Sequence, residues 1–103
     1  MEGLEYISFQ IIASSGTARS YYIEAIQYAK NKEFDKAEEC IQLGDKEYID
    51  AHHIHAKLIQ EEAMNQKSEI NILLIHALDQ MMSAESFGIL SREFVYLYKK
   101  IID

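Results

Sequence analysis

Not one proline interrupts this chain of 103 residues, and only four glycines occur, Gly3, Gly16, Gly44 and Gly88. Proline and glycine are the residues that stop helices and shape tight turns. A sandwich or barrel needs such turns every few residues, and this chain can hardly make them. Long helices are the natural alternative. The length sets one domain, residues 1–103, large enough for one core and too small for two.

Two polar stretches divide the helical pattern. KNKEF, Lys30–Phe34, follows an apolar periodic segment, and Asn31 fits a left-handed C-cap. Asp35 and Glu38 then have the spacing of a capping box. MNQKSE, Met64–Glu69, offers Asn65 as a stop and Ser68 as an N-cap. The pattern predicts an all-α antiparallel three-helix bundle, with helices over about 4–30, 35–64 and 68–101.

In the first helix a stripe runs Leu4, Ile7, Ile11, Ser15, Ala18, Tyr22, Ala25, Ala29. Ser14, Ser15 and Gly16 either kink this helix or let a neighbour approach closely. The second helix has an interrupted stripe, Ala37, Ile41, Gly44, Tyr48, His52, Ile59, Ala63. The third helix has two. One is Leu73, Ala77, Met81, Ala84, Phe87, Phe94, Tyr98, Ile101; the other is Ile72, Ile75, Met82, Leu90, Leu97. Together they cover well over half the circumference, whereas a helix in a three-helix monomer buries one face. The surplus predicts burial against another chain, ahead of the competing reading of a generous core.

LLIHALDQMM, Leu73–Met82, sets His76 and Asp79 inside this apolar run. Asp79 falls within about 60° of Ile72, Ile75, Met82, Ser86 and Leu90 on the helical wheel. A carboxylate buried there must be protonated, hydrogen-bonded or bound to a cation. Copies converging on a rotation axis would favour a hard cation with oxygen ligands; pairing with a Lys or Arg of another helix is the equal alternative. His76 lies on a flank with Ser83 and Phe87. It is either a satisfied core histidine or an exposed imidazole in an apolar docking surface, suited to nucleophilic group transfer between proteins.

The formal charge of −7 argues against nucleic acid or an anionic membrane surface as a partner. The longest aliphatic run, Ile72–Ile75, is far too short to span a bilayer. MEGLEYISFQ carries acidic residues where a signal peptide carries basic ones. The single cysteine, Cys40, excludes an intrachain disulfide, lacks neighbours that would activate it, and reads as a small core residue. Cytoplasmic placement follows as the expectation. His52, His53 and His55 are too few for a closed zinc site and read as structural or surface residues.

GTARSYYIEAIQYAK (Gly16–Lys30), FDKAEECI (Phe34–Ile41), AHHIHAKLIQEEA (Ala51–Ala63), INILLIHALDQMM (Ile70–Met82) and SREFVYLYKKI (Ser91–Ile101) occur in order over nearly the whole chain. In these segments the chain resembles the enzyme IIA proteins of the lactose/cellobiose class of the bacterial sugar phosphotransferase system. The resemblance implies a phosphocarrier whose histidine, here His76, accepts a phosphoryl group from the phosphocarrier protein HPr. It passes the group to a cysteine of the cognate IIB protein, for a IIC component that takes up a β-linked disaccharide or oligosaccharide. It also implies a homotrimer of three-helix subunits with aspartates, here Asp79, around a divalent cation on the axis, Mg2+ by expectation. The family's HAQDHLM-like motif reads HALDQMM here: His76 and Asp79 are kept, while Leu78, Gln80 and Met81 depart from it.

Two other readings bear on the same residues. EAIQYAKNKEFDKAEECI has the small–aromatic–alanine look of a tetratricopeptide unit, a helical interaction module without catalysis. A second copy about 34 residues on would put Ser68 and Asn71 at the positions of Phe34 and Ala37, which do not fit. A histidine phosphotransfer domain of two-component signalling is disfavoured by Asp79 and Gln80, where such domains usually carry Lys-Gly.

Overall fold

With no proline to break them, the three helices run uninterrupted. In the computed structural model, which describes residues 3–65 and 71–101, α1 is Leu4–Lys30, α2 is Phe34–Asn65 and α3 is Ile72–Lys100. They form an elongated bundle of 57 × 20 × 19 Å. At about 1.5 Å per residue, helices of this length run most of the long axis.

The core is layered along that axis. Ile11, Ala51, Ala77 and Met81 form one layer. Ala18, Tyr22 and Ala84 form the next, and Ala25, Ala29, Ala37, Cys40, Ile41 and Val95 the last. Residue numbers rise together along α1 and α3 and fall along α2, so α2 is antiparallel to both. Helix α1 packs extensively on both neighbours, while α2 and α3 touch each other least. Alanines dominate the seams, which lets the backbones come close.

The expected stripe of α1 is the buried one: Ile11, Ser15, Ala18, Tyr22, Ala25 and Ala29 are all buried, with Ser8. Helix α1 passes through Ser14–Gly16 without a break. Ser15 is fully buried in the bundle, whereas at Gly16 nothing lies within 4 Å of an added Cβ, so Gly16 makes no close approach. The α2 stripe needs correction beyond Tyr48. The core takes Ala51 and Leu58, while His52 and Ile59 are exposed. Successive four-residue steps from Gly44 to Tyr48 to His52 drift about 80° round the helix, and a three-residue step to Ala51 brings the stripe back to α1.

Helix boundaries also differ locally from expectation. Asn31 has φ −96°, and the left-handed residue is Lys32, at φ 66°. Lys32 N–H donates to Ala29 O at 3.0 Å and Glu33 N–H to Tyr28 O at 2.9 Å. That is a Schellman closure with Asn31 as the C-cap itself. Helix α2 begins at Phe34, so Asp35 lies inside its first turn rather than ahead of it. Glu38 closes no capping box and instead pairs with Lys99 at 2.8 Å. Ser68, the expected N-cap of α3, lies outside the described residues. The cap observed is Asn71, whose Oδ1 accepts from Leu74 N–H at 2.8 Å. Three helices of 27, 32 and 29 residues are also unlike a tetratricopeptide unit, which fits two helices into about 34 residues.

Candidate functional site

One face of α3 is left bare by the bundle. The helix buries Leu74, Ala77, Met81, Ala84, Gly88, Ser91 and Val95 against α1 and α2. Ile72, Ile75, Met82, Leu90 and Leu97 are all exposed, Ile72 by 85% and Met82 by 63%. The second apolar stripe is therefore a solvent-facing strip rather than a generous core. Asp79 is exposed within it. Among the described residues the ion pairs are Lys36–Glu33, Arg92–Asp45 and Lys99–Glu38. Among these residues no Lys or Arg of another helix pairs with Asp79.

His76 is exposed as well, which removes the reading of a satisfied core histidine. Because α3 starts at Ile72, His76 is the fifth helical residue, about one turn in rather than two. Its side chain leans toward the helix start. Added negative charge on the imidazole would therefore sit near the positive end of the helix dipole, worth about 0.3–1 kcal/mol at an exposed position.

Gln80 and Ser83 follow His76 along the same face, one and two turns on. Arg19 of α1 reaches both: its Nη1 donates to Gln80 Oε1 at 2.9 Å and to Ser83 Oγ at 3.3 Å. Sequence reasoning missed Arg19, because contacts between helices leave no trace in the periodicity of either. A signal did exist: Arg19 borders the buried stripe between Ala18 and Tyr22, so its long side chain must cross the seam to leave the core.

The remaining candidates stay apart from this face. His52 is exposed and stacks on Tyr48 with ring centroids 6.2 Å apart, while His53 lines a shallow groove with Gln10 and Asp50. His55 is half-buried. Among the described residues of one chain, no group of three or more His, Cys, Asp or Glu side chains converges as a metal site. Cys40 is buried and donates to Glu24 Oε1 at 3.3 Å. Burial first, and then the Glu24 carboxylate, push its thiol up to about 11, the reverse of an activated nucleophile.

Comparison with known proteins accounts for this architecture. Residues 6–99 match the family described as PTS system, Lactose/Cellobiose specific IIA subunit. The lichenan-specific phosphotransferase enzyme IIA component of Bacillus subtilis is 38% identical over 102 residues, covering 99% of this chain and 93% of that one. The crystal structure of the PTS cellobiose-specific enzyme IIA from Bacillus anthracis superimposes with a TM-score of 0.91 at 42% identity, covering 98% and 94% of the two chains. The IIA(Chitobiose) chain of Escherichia coli, solved in complex with HPr, gives a TM-score of 0.86 at 29% identity, with 98% of each chain covered. The chain belongs to the lactose/cellobiose-specific IIA subunit family and is an enzyme IIA component of the phosphotransferase system.

Proposed function

We propose that His76 is the phosphoryl acceptor of this phosphocarrier, receiving the group from phospho-HPr and delivering it to a cysteine of a cognate IIB protein. The observation that carries the reading is the exposure of His76 near the start of α3, beside an apolar strip onto which a protein can dock. The solved complex of the Escherichia coli relative with HPr supports the choice of donor. In the transfer, the lone pair of the unprotonated imidazole nitrogen attacks phosphorus. The bond from phosphorus to its donor group breaks as the new P–N bond forms, and the other ring nitrogen keeps its proton. Transfer onward reverses the roles, with the IIB thiolate as nucleophile. Docked apolar surfaces exclude water from the labile P–N bond.

The chain acts as one phosphocarrier domain in the cytoplasm, assembled as a homotrimer through the bare strip of α3. Among the described residues no helix is long and apolar enough to cross a membrane. Membership of the family supports a membrane IIC component as the sugar pathway. Lichenan, cellobiose and chitobiose, named for the relatives, share β linkages, which supports a β-linked disaccharide or oligosaccharide as the sugar. Asp79 offers one carboxylate per chain, too few for a cation within a protomer. Three copies on an axis supply the oxygen donors that Mg2+ prefers, and the ion would offset their mutual repulsion. A single relay tests the function. Phosphoenolpyruvate, enzyme I and HPr should load an acid-labile phosphoryl group that then passes to an added IIB protein; a folded wild type that never loads contradicts it.

A further inference from the structure

We propose that Arg19 is a positioning residue for phosphoryl transfer at His76, holding Gln80 so that its amide group donates toward the phosphoryl oxygens; this rests on His76 being the acceptor. Phosphoryl transfer spreads charge over three equatorial oxygens and calls for hydrogen-bond donors placed in advance. The backbone N–H of His76 lies within the helical ladder of α3, so donors must come from side chains.

Gln80 stands one turn beyond His76 on the same face, with Cβ atoms about 5–6 Å apart by helical geometry. An arginine side chain has donors and no acceptor, so the 2.9 Å contact from Arg19 Nη1 takes the oxygen of Gln80. The NH2 end of Gln80 is thereby committed as a donor. Ser83 accepts from the same Nη1 at 3.3 Å, which fixes the guanidinium over this one stretch of α3.

The charge of Arg19 points the same way. Both of its acceptors are neutral, and among the described residues no carboxylate lies within ion-pair distance of it. The chain's other arginine, Arg92, is paired with Asp45. A purely structural tie between α1 and α3 would be stronger with a carboxylate in place of Gln80. Neutral anchors instead leave the positive charge uncancelled, about a turn from where a dianionic phosphoryl group forms.

The test measures the rate of phosphoryl acceptance at saturating phospho-HPr, alongside the thermal midpoint of each variant. Arg19→Met is expected to lower the rate about tenfold to a hundredfold with helical content kept, and Arg19→Lys to recover part of the loss. Gln80→Glu separates positioning from packing. It completes an ion pair with Arg19, so the midpoint should hold or rise, while the donor and the free charge are both lost and the rate falls. Gln80→Glu also carries the test if Arg19→Met does not fold. A wild type labelled at His76, with folded Arg19→Met and Gln80→Glu transferring at its rate, overturns the role of Arg19 alone. A wild type that is not labelled at His76 overturns the reading beneath it as well.

Discussion

Tyr22 donates its phenolic hydrogen to Asp45 Oδ1 at 2.7 Å, and Arg92 binds the other oxygen of the same carboxylate. One side chain of α2 thereby ties α1 and α3 together. The Tyr22 ring lies where both neighbours carry glycine. A Cβ on Gly44 would sit 2.7 Å from Tyr22 Cε1, and one on Gly88 2.9 Å from Tyr22 Cζ. The ring is closed in on two edges and held at its tip, which fixes the register of α1 against α3. That register keeps Arg19, one turn before Tyr22, opposite Gln80.

Gly44→Ala and Gly88→Ala should each destabilise the bundle by about 1–3 kcal/mol, because the ring cannot move from one glycine without meeting the other. Chemical denaturation of the two variants checks this. An unchanged midpoint for both would mean that the ring is not so confined.

Alkaline pH should loosen the same core. Burial first, then the bond to Asp45, raise the Tyr22 phenol above its ordinary value of 10.0. Burial and Glu24 raise Cys40 from 9.0 to about 11. Both folded-state groups hold their protons more tightly than the unfolded chain does. Their contribution is full below pH 9 and is lost as pH rises, for Cys40 between about 9 and about 11. A pH series of denaturation midpoints on wild type, Cys40→Ala and Tyr22→Phe checks the sign. Tyr22→Phe should cost about 0.5–1.5 kcal/mol at neutral pH and flatten the fall above pH 10.

Met82→Lys should abolish assembly without unfolding the protomer. Burying a side chain of this size is worth about 1.5–3 kcal/mol, and an unpaired ammonium in its place reverses the sign. Sedimentation should find a helical monomer. A variant that still trimerises would move the interface away from this strip.

If the proposed homotrimer gathers three Asp79 carboxylates around a cation, chelation should weaken it, because the carboxylates would then face one another without the ion. Asp79→Leu should form a trimer indifferent to chelator. Dissociation constants with and without EDTA distinguish the two, and an identical response of wild type and variant would remove Asp79 from the axis.

The angular part of this account was legible in the sequence, since residues on one helix keep fixed angles to each other. Asp79 among Ile72, Ile75 and Met82, and His76 on a flank with Ser83, both follow from periodicity, and the exposure of the second stripe bears out the surplus read from it. What failed was local, belonged to pairs of helices, or was a stripe that drifts. Of the expected first stripe of α3 only Ala77, Met81 and Ala84 are buried, Phe94 and Ile101 are exposed, and the core takes Leu74, Gly88, Ser91 and Val95 instead. The left-handed position moved from Asn31 to Lys32, because several cap geometries fit the same polar residues. The α2 stripe slipped at Tyr48, where steps of three and of four both land on plausible residues. The start of α3 at Ile72 brings His76 a turn nearer the helix end than Ser68 would have done. Arg19 was out of reach for a different reason: its partners stand 61 and 64 residues away, and only the packing of α1 on α3 brings them together.

The central claim is that His76 carries the phosphoryl group. Native mass spectrometry after incubation with phosphoenolpyruvate, enzyme I and HPr tests it most directly, on wild type and on His76→Ala. The account predicts a trimer carrying up to one acid-labile phosphoryl group per chain for wild type, and an unlabelled trimer for the variant. A variant that still takes up the label would place the acceptor elsewhere.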